Sequence, residues 1–158
     1  MARATSDSTD AAAALFEAAT QLRDAGRHAE ARSLALQAIG ALLPSQVQAR
    51  GVIEREIGFN YTLEGRPEAA LGWYQRARET LPTSTLSSMA TYHCLFQLGR
   101  LHEALDEALR FCALRAAPAY RQLFEHERIF DDSRDDLRRK ADAVRAALAA
   151  HGPSATES

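Results

Sequence analysis

Apolar side chains recur at helical spacing in three consecutive stretches of the sequence, and each stretch ends at a Gly-Arg pair. In the second stretch, Ile53, Ile57 and Tyr61 are four residues apart, which places them on one face of an α-helix. The Gly-Arg pairs occupy positions 26–27, 65–66 and 99–100. Glycine readily adopts the left-handed backbone conformation that ends many helices. The pattern therefore predicts one helix before each pair and another after it.

Small residues and prolines follow each glycine at regular intervals. Alanine stands five residues after each glycine, at Ala31, Ala70 and Ala104. A proline closes each unit, at Pro44, Pro82 and Pro118. Alanine lets two helices pack closely, and proline cannot continue a helix. We therefore predict three helical hairpins, about residues 10–44, 46–82 and 84–117, which must stack because one hairpin alone cannot bury its apolar face.

The second unit resembles a tetratricopeptide repeat in the order and size of its residues. The matching residues are Ile57, Gly58, Tyr61, Gly65, Ala70, Tyr74, Ala77 and Pro82. The unit departs from the family at Glu54, where a tryptophan is common. The first and third units match less completely. The resemblance implies an all-α fold, an α-solenoid of antiparallel helical hairpins in a right-handed superhelical stack, with three repeats followed by C-terminal capping helices.

The two ends of the chain differ from the repeats. Residues 118–150 contain two further amphipathic stretches, and Leu137, Val144 and Leu148 form the apolar line of the second. We expect terminal, capping helices there, because the last layer of a repeat array needs a cover with one polar face. Residues 1–9 and 151–158 are expected to be disordered. Residues 10–150 would then form a single domain.

Composition and charge narrow the choice of partner and compartment. Alanine accounts for 32 of 158 residues, which favours closely packed helices over strands. The formal net charge of −2 gives no electrostatic reason to bind nucleic acid or an anionic membrane. We find neither a secretory signal nor a membrane-spanning run, so we expect a cytoplasmic protein. Cys94 and Cys112 are then expected to be reduced, with a disulfide or redox pair as the alternative.

Fragments of catalytic and metal-binding motifs are incomplete. Residues 102–103 and 126–127 each read His-Glu, as in a zinc protease helix, but neither has a second histidine four residues after the first. His93 and Cys94 are neighbours in sequence, yet adjacent residues of a helix point about 100° apart. We therefore predict no enzyme, no catalytic residue, no metal and no cofactor. An enzyme that uses Cys94, Cys112 and His93 is the distant alternative.

The tetratricopeptide resemblance also implies a binding surface, because the first helix of each hairpin lines a concave groove in that family. The residues expected to face a partner there are Phe16, Thr20, Arg23, Arg55, Phe59, Leu63, Met89, His93, Phe96 and Gln97. Aromatic and arginine side chains are the types that dominate interface energies. A peptide segment or helix with apolar anchors would suit this mixture.

Several of these residues have a purely structural alternative. Phe16 and Phe96 can fill gaps between neighbouring hairpins. His93 can be a hydrogen-bonded core residue. Arg55 can pair with a neighbouring glutamate, in which case its charge is not available to a partner.

These features favour a protein–protein interaction module, an adaptor or scaffold that binds another protein. Two alternatives stay open. In size and layout, three such hairpins resemble the bacterial type III secretion chaperones of the translocator class, which implies a dedicated chaperone for a secreted or assembling client. The other alternative is a structural protein that associates with itself, for example as a homo-dimer.

Overall fold

All regular secondary structure is helical in the computed structural model, which describes residues 2–152 without the side chains of Ala2, Ala4 and Thr5. The helices are α1 (Ala2–Asp24), α2 (His28–Ala41), α3 (Val47–Leu63), α4 (Pro67–Thr80), α5 (Thr85–Gln97), α6 (Leu101–Leu114), α7 (Pro118–Arg121) and α8 (Asp135–His151). A π-helical turn, Gln122–His126, directly continues α7. The all-α class is therefore confirmed. None of the helices in the described range has the length and apolar character needed to cross a membrane.

Residue contacts group into two compact units, Met1–Leu81 and Pro82–Ser158. The first unit contains α1 to α4, and the second contains α5 to α8. The sequence predicts one domain over residues 10–150, whereas the contacts divide at the proline that closes the second hairpin. Contacts in a chain of helical hairpins are mostly local, which permits such a division.

The helices α1, α3 and α5 end in the same backbone motif. Gly26, Gly65 and Gly99 have φ angles of 77°, 72° and 73°. The N–H of the arginine after each glycine donates to the carbonyl five residues earlier, at 2.9–3.0 Å. This is the Schellman arrangement, in which a left-handed residue reverses the chain direction. The predicted helix-ending role of the three glycines is confirmed, and each three-residue link joins two helices into a pair.

Small residues bring the helices of the first unit close together. The helix α1 packs against α2, α3 packs against α4, and α2 also contacts α3. The second helices carry fully buried alanines: the predicted Ala31, Ala70 and Ala77, and also Ala35 and Ala38. A Cβ atom at Gly58 would lie 2.6 Å from the ring of Tyr74, so only glycine fits there without displacing the ring. The predicted close approach of paired helices is confirmed in this unit.

Aromatic side chains fill the core of the second unit. The helix α5 pairs with α6, which also packs against α8. Tyr92, Phe111, Tyr120 and Phe124 are each at most 1 % exposed. The predicted apolar line of α8 is buried as well: Leu137, Val144, Leu148. The last helix therefore covers this aromatic core with the face that the sequence indicated.

The segment between the π-helical turn and α8 is irregular, and it separates the two amphipathic stretches that the sequence predicts within 118–150. Phe130 is buried there with a φ of 72°, a strained value for an aromatic residue. Arg145 of α8 donates to the carbonyls of Phe124 and Ile129 at 2.7 and 3.0 Å, and pairs with Asp131 at 2.8 Å. These bonds hold the irregular backbone against α8.

Residues 2–9 and His151 are helical, whereas the sequence predicts disorder there. Residues 2–9 form the first turns of α1. The hydroxyl of Ser8 donates to the carbonyl of Ala41, and the side chain of Gln46 donates to the hydroxyl of Thr9. These bonds join α1 to the end of α2 and the start of α3. The composition of residues 1–9 alone does not reveal such contacts with distant residues. His151 is the last residue of α8 rather than part of a tail. Met1 and residues 153–158 lie outside the described residues.

Candidate functional site

An apolar cleft opens between the N-terminal halves of α1 and α3 in the first unit. Its volume is about 390 Å³. The lining residues are Thr9, Ala12, Ala13, Phe16, Leu42, Gln48, Ala49, Val52 and Ile53. None of these residues carries a formal charge, and the volume is in the lower range of ligand pockets. Phe16, one of the predicted site residues, forms part of the wall while also packing against the core of the unit.

Toward the C-terminal ends of the same two helices, Arg23 links α1 to α3. Its guanidinium pairs with Asp24 at 2.9 Å and with Glu56, and it lies 5.3 Å from the centroid of the Phe59 ring. Burial alone would lower the pKa of Arg23, but the hydrogen bonds to Asp24 and Glu56 outweigh this effect and raise the pKa. The charge of Arg23 is therefore already compensated within the unit.

Arg55 differs from Arg23 in this respect. It is partly exposed on α3. The predicted alternative was a pair between Arg55 and a neighbouring glutamate, but Glu56 pairs with Arg23 instead. Within residues 2–152, Arg55 takes part in no ion pair shorter than 4 Å. Its charge is therefore available to a partner.

Two further exposed apolar side chains lie on α3, beyond Arg55 and Glu56. Phe59 and Leu63 are 40 % and 49 % exposed. Together with Val52 they fall at helical positions i, i+7 and i+11, on one face of α3. Thr20 of α1 contributes a polar hydroxyl and not an apolar group. This hydroxyl donates to the carbonyl of Phe16 in its own helix at 3.0 Å.

The predicted site residues of the second unit all lie on α5. Met89 is half-buried, while His93 and Gln97 are exposed, so His93 is not the core residue of the structural alternative. The ring of His93 meets the edge of Tyr92 at 5.3 Å, and partial burial lowers the pKa of His93. Phe96 is 40 % exposed but also contacts the ring of Phe130 at 5.9 Å. The α5 face is thus partly packed against its own unit.

A buried polar cluster in the second unit was missed by the sequence analysis. The carboxylate of Glu107 accepts hydrogen bonds from Ser88 at 2.8 Å and from Arg110 at 2.6 and 3.0 Å. The Ser88 hydroxyl also lies 2.8 Å from the hydroxyl of Tyr120. The sequence contains one indication of this cluster. Glu107 stands three residues after the packing residue Ala104, which places it on the buried face of α6.

Both cysteines considered for catalysis have buried side chains. No disulfide joins Cys94 to Cys112. Burial raises the pKa of Cys112 to about 12, so this thiol is protonated at neutral pH. Over the part of the chain that the structure describes, no three His, Cys, Asp or Glu side chains are grouped closely enough to hold a metal ion.

Comparison with known proteins supplies no family for this chain. No protein-family model matches it, and no curated protein matches it either. The tetratricopeptide resemblance therefore stays a prediction from the residues.

Proposed function

We propose that the protein is an interaction module of the tetratricopeptide type, a cytoplasmic adaptor or scaffold that binds a peptide segment or helix of another protein on the face shared by α1 and α3. The observation that carries this proposal is the apolar cleft of about 390 Å³ between the two helices. Phe59 and Leu63 add exposed apolar side chains to the same face of α3, beyond Arg55 and Glu56. Exposed apolar surface rimmed by polar residues is typical of interaction sites.

The spacing of these groups favours a helical segment as the ligand. Val52 in the cleft and Phe59 beyond it are seven residues apart, which is roughly 10 Å along α3. Apolar side chains at positions i and i+7 of a partner helix have the same separation, so one could enter the cleft while the other contacts Phe59. Each fully buried leucine or phenylalanine would contribute about 1.5–3 kcal/mol.

Arg55 would add selectivity to this apolar recognition. It lies on the same helix as the apolar groups and has no ion-pair partner in the described range. An acidic residue of the ligand could pair with it at the rim of the site. Such rim pairs act mainly on the association rate and its salt dependence.

The test is affinity capture from native lysate with matched variants, quantified by mass spectrometry. The double variant Phe59→Gln, Leu63→Gln removes the apolar extension, and Leu114→Gln is the control, since Leu63 and Leu114 are 49 % and 52 % exposed. We expect the wild type and the control to retain the same partners and the double variant to retain them at least about tenfold less. The far-UV circular dichroism melts should coincide.

Retention of every partner by the double variant would contradict the proposal. Light scattering at several protein concentrations completes the test. A dimer that the double variant abolishes would mean that the ligand of this face is a second copy of the chain, and a monomer at all concentrations would exclude that case.

A further inference from the structure

A second cleft opens on the other side of α3, between α2, α3 and α4 of the first unit. Its volume is about 320 Å³. The lining residues are Leu36, Ile39, Arg50, Glu54, Trp73, Arg76 and Thr80. On a helix with 100° per residue, Glu54 lies roughly 160° around α3 from Val52. This cleft is therefore separate from the α1–α3 cleft and shares no lining residue with it.

Two arginines line this second cleft without a carboxylate in contact. The guanidinium of Arg76 lies 4.8 Å from the centroid of the Trp73 ring. The Nε atom of Arg50 is shielded from solvent and has no hydrogen-bond partner among the described residues. Neither arginine forms an ion pair within 4 Å in the 2–152 range. A sheltered donor without an acceptor costs free energy, and a bound anion would remove that cost.

Glu54 contributes the only acidic side chain among the lining residues. It is 6 % exposed, and its carboxylate accepts hydrogen bonds from the Thr80 hydroxyl at 3.0 and 3.2 Å. Burial raises the pKa of this carboxyl, whereas the hydrogen bonds from Thr80 and the charges of Arg50 and Arg76 act in the opposite direction. Two arginines and one glutamate leave the lining with one uncompensated positive charge.

The remaining walls are apolar. Leu36 is 49 % exposed beside the cleft, and Ile39 and the Trp73 ring complete the surface. A ligand that matches this cleft therefore combines one negative charge with a short apolar group. A carboxylate supplies one negative charge, and arginine binds it through two parallel hydrogen bonds. A phosphate monoester would bring more negative charge than the lining can neutralise.

We propose that this cleft binds a carboxylate carried on a short apolar stem, with Arg50 and Arg76 holding the carboxylate and Leu36, Ile39 and Trp73 contacting the stem. The ligand is either a free carboxylic acid or an acidic side chain beside an apolar residue in a peptide. This site does not depend on the function proposed for the α1–α3 face, because it uses the opposite side of α3.

The test uses the fluorescence of Trp73, since the chain contains a single tryptophan. The probes are hexanoate, hexanol with the same stem but no charge, acetate with the charge but no stem, and the capped peptide acetyl-Leu-Glu-Leu-amide. We expect saturable fluorescence changes with hexanoate or the peptide, and at least tenfold weaker binding of hexanol and acetate. Binding of hexanoate assigns a free acid as the ligand, and binding of the peptide alone assigns a protein segment.

Variants then test the charges. Arg50→Gln should weaken binding of the active probe about tenfold, while Glu54→Gln should strengthen it severalfold because it removes the competing negative charge. Arg139→Gln on α8 is the matched control and should bind like the wild type. Isothermal titration calorimetry gives a second readout that does not depend on Trp73. Equal binding of hexanol and hexanoate, unchanged binding by Arg50→Gln, or no saturable response to hexanoate and the peptide would each overturn the proposal.

Discussion

The core of the first unit is rich in alanine, whereas the core of the second contains a cluster of aromatic rings, although both units contain helix pairs with the same glycine motif. The core of the first unit includes Ala12, Ala19, Ala35 and Ala38 together with Leu42, Ile53 and Ile57. In the second unit, the rings of Tyr92 and Tyr120 meet edge to face at 5.5 Å, and those of Phe124 and Phe130 stack at 6.2 Å. One backbone pattern therefore accommodates two ways of filling a core.

One position shows the difference directly. Twelve residues after the glycine of each motif stand Ala38, Ala77 and Phe111, and all three are fully buried. An alanine there lets the helix backbones approach, whereas the ring of Phe111 packs against that of Tyr120 in α7 at 5.8 Å. Both clefts described above lie in the first unit, and three alanines help to line the one between α1 and α3.

Both units bury a carboxylate, but only in the second does a guanidinium pair with it among the described residues. The Glu107 side chain is 1 % exposed, and hydrogen bonds from Ser88 and Arg110 satisfy its carboxylate. Because an unpaired buried carboxylate is very costly, this cluster permits only those arrangements of α5 and α6 that keep the donors in place. In the first unit, the buried Glu54 accepts its hydrogen bonds from the Thr80 hydroxyl and not from an arginine.

The largest expected effect comes from exchanging the two kinds of core residue. Phe111→Ala should lower the free energy of unfolding by about 3–5 kcal/mol, because it removes a fully buried ring and leaves a cavity. The reciprocal change, Ala77→Phe, should cost about 1–3 kcal/mol through overpacking. Urea denaturation followed by circular dichroism measures both, and Trp73 fluorescence reports the first unit separately.

Leu114→Ala is the control for this exchange, since Leu114 is 52 % exposed and its truncation should change stability little. A cost below about 1 kcal/mol for Phe111→Ala would mean that the aromatic core is not what stabilises the second unit. Tolerance of Ala77→Phe would mean that close helix approach is not required in the first.

Local signals explain how much of this fold could be predicted from the sequence. Glycine at a left-handed helix end, alanine between close helices and an apolar line on α8 are each dictated by residues near one another in the chain. The first turns of α1 were not predictable in this way, because their hydrogen bonds reach Ala41 and Gln46. Phe130 is a further case, since its left-handed backbone depends on bonds made by Arg145.

The candidate site also has features that nearby residues predict and features that only contacts between distant residues decide. Helical spacing places Phe16 on α1 and Phe59 and Leu63 on α3, and the structure puts the last two at the surface. The partner of Glu56 was not predictable, because only the packing of α1 against α3 decides that Arg23 and not Arg55 reaches it. The Arg50–Glu54 cleft was missed for a related reason, since charged residues on a helix are normally solvated and its walls come from three separate helices.

A smaller effect is expected from the polar cluster of the second unit. Ser88→Ala removes one donor to Glu107 and the partner of the Tyr120 hydroxyl, so the free energy of unfolding should fall by about 1–3 kcal/mol. Thr20→Ala in the first unit is the control, because that hydroxyl bonds only within its own helix. Urea denaturation compares the two. Equal small losses for both variants would mean that the buried cluster adds nothing specific to the second unit.

The smallest effect is expected for the glycine motif at helix ends, which the two units have in common. Gly65→Ala and Gly99→Ala should each cost about 1–2 kcal/mol, because both glycines have positive φ and alanine is strained there. Gly72→Ala is the matched control within α4, where no atom obstructs a new Cβ, and it should stabilise the protein by about 0.5–1 kcal/mol. Thermal and urea unfolding measure all three. Because the strain is a property of the backbone and not of the core, Gly65→Ala and Gly99→Ala should lower the free energy of unfolding by the same amount. A much larger loss for Gly99→Ala would mean that the aromatic core, and not the turn alone, depends on the backbone geometry at Gly99.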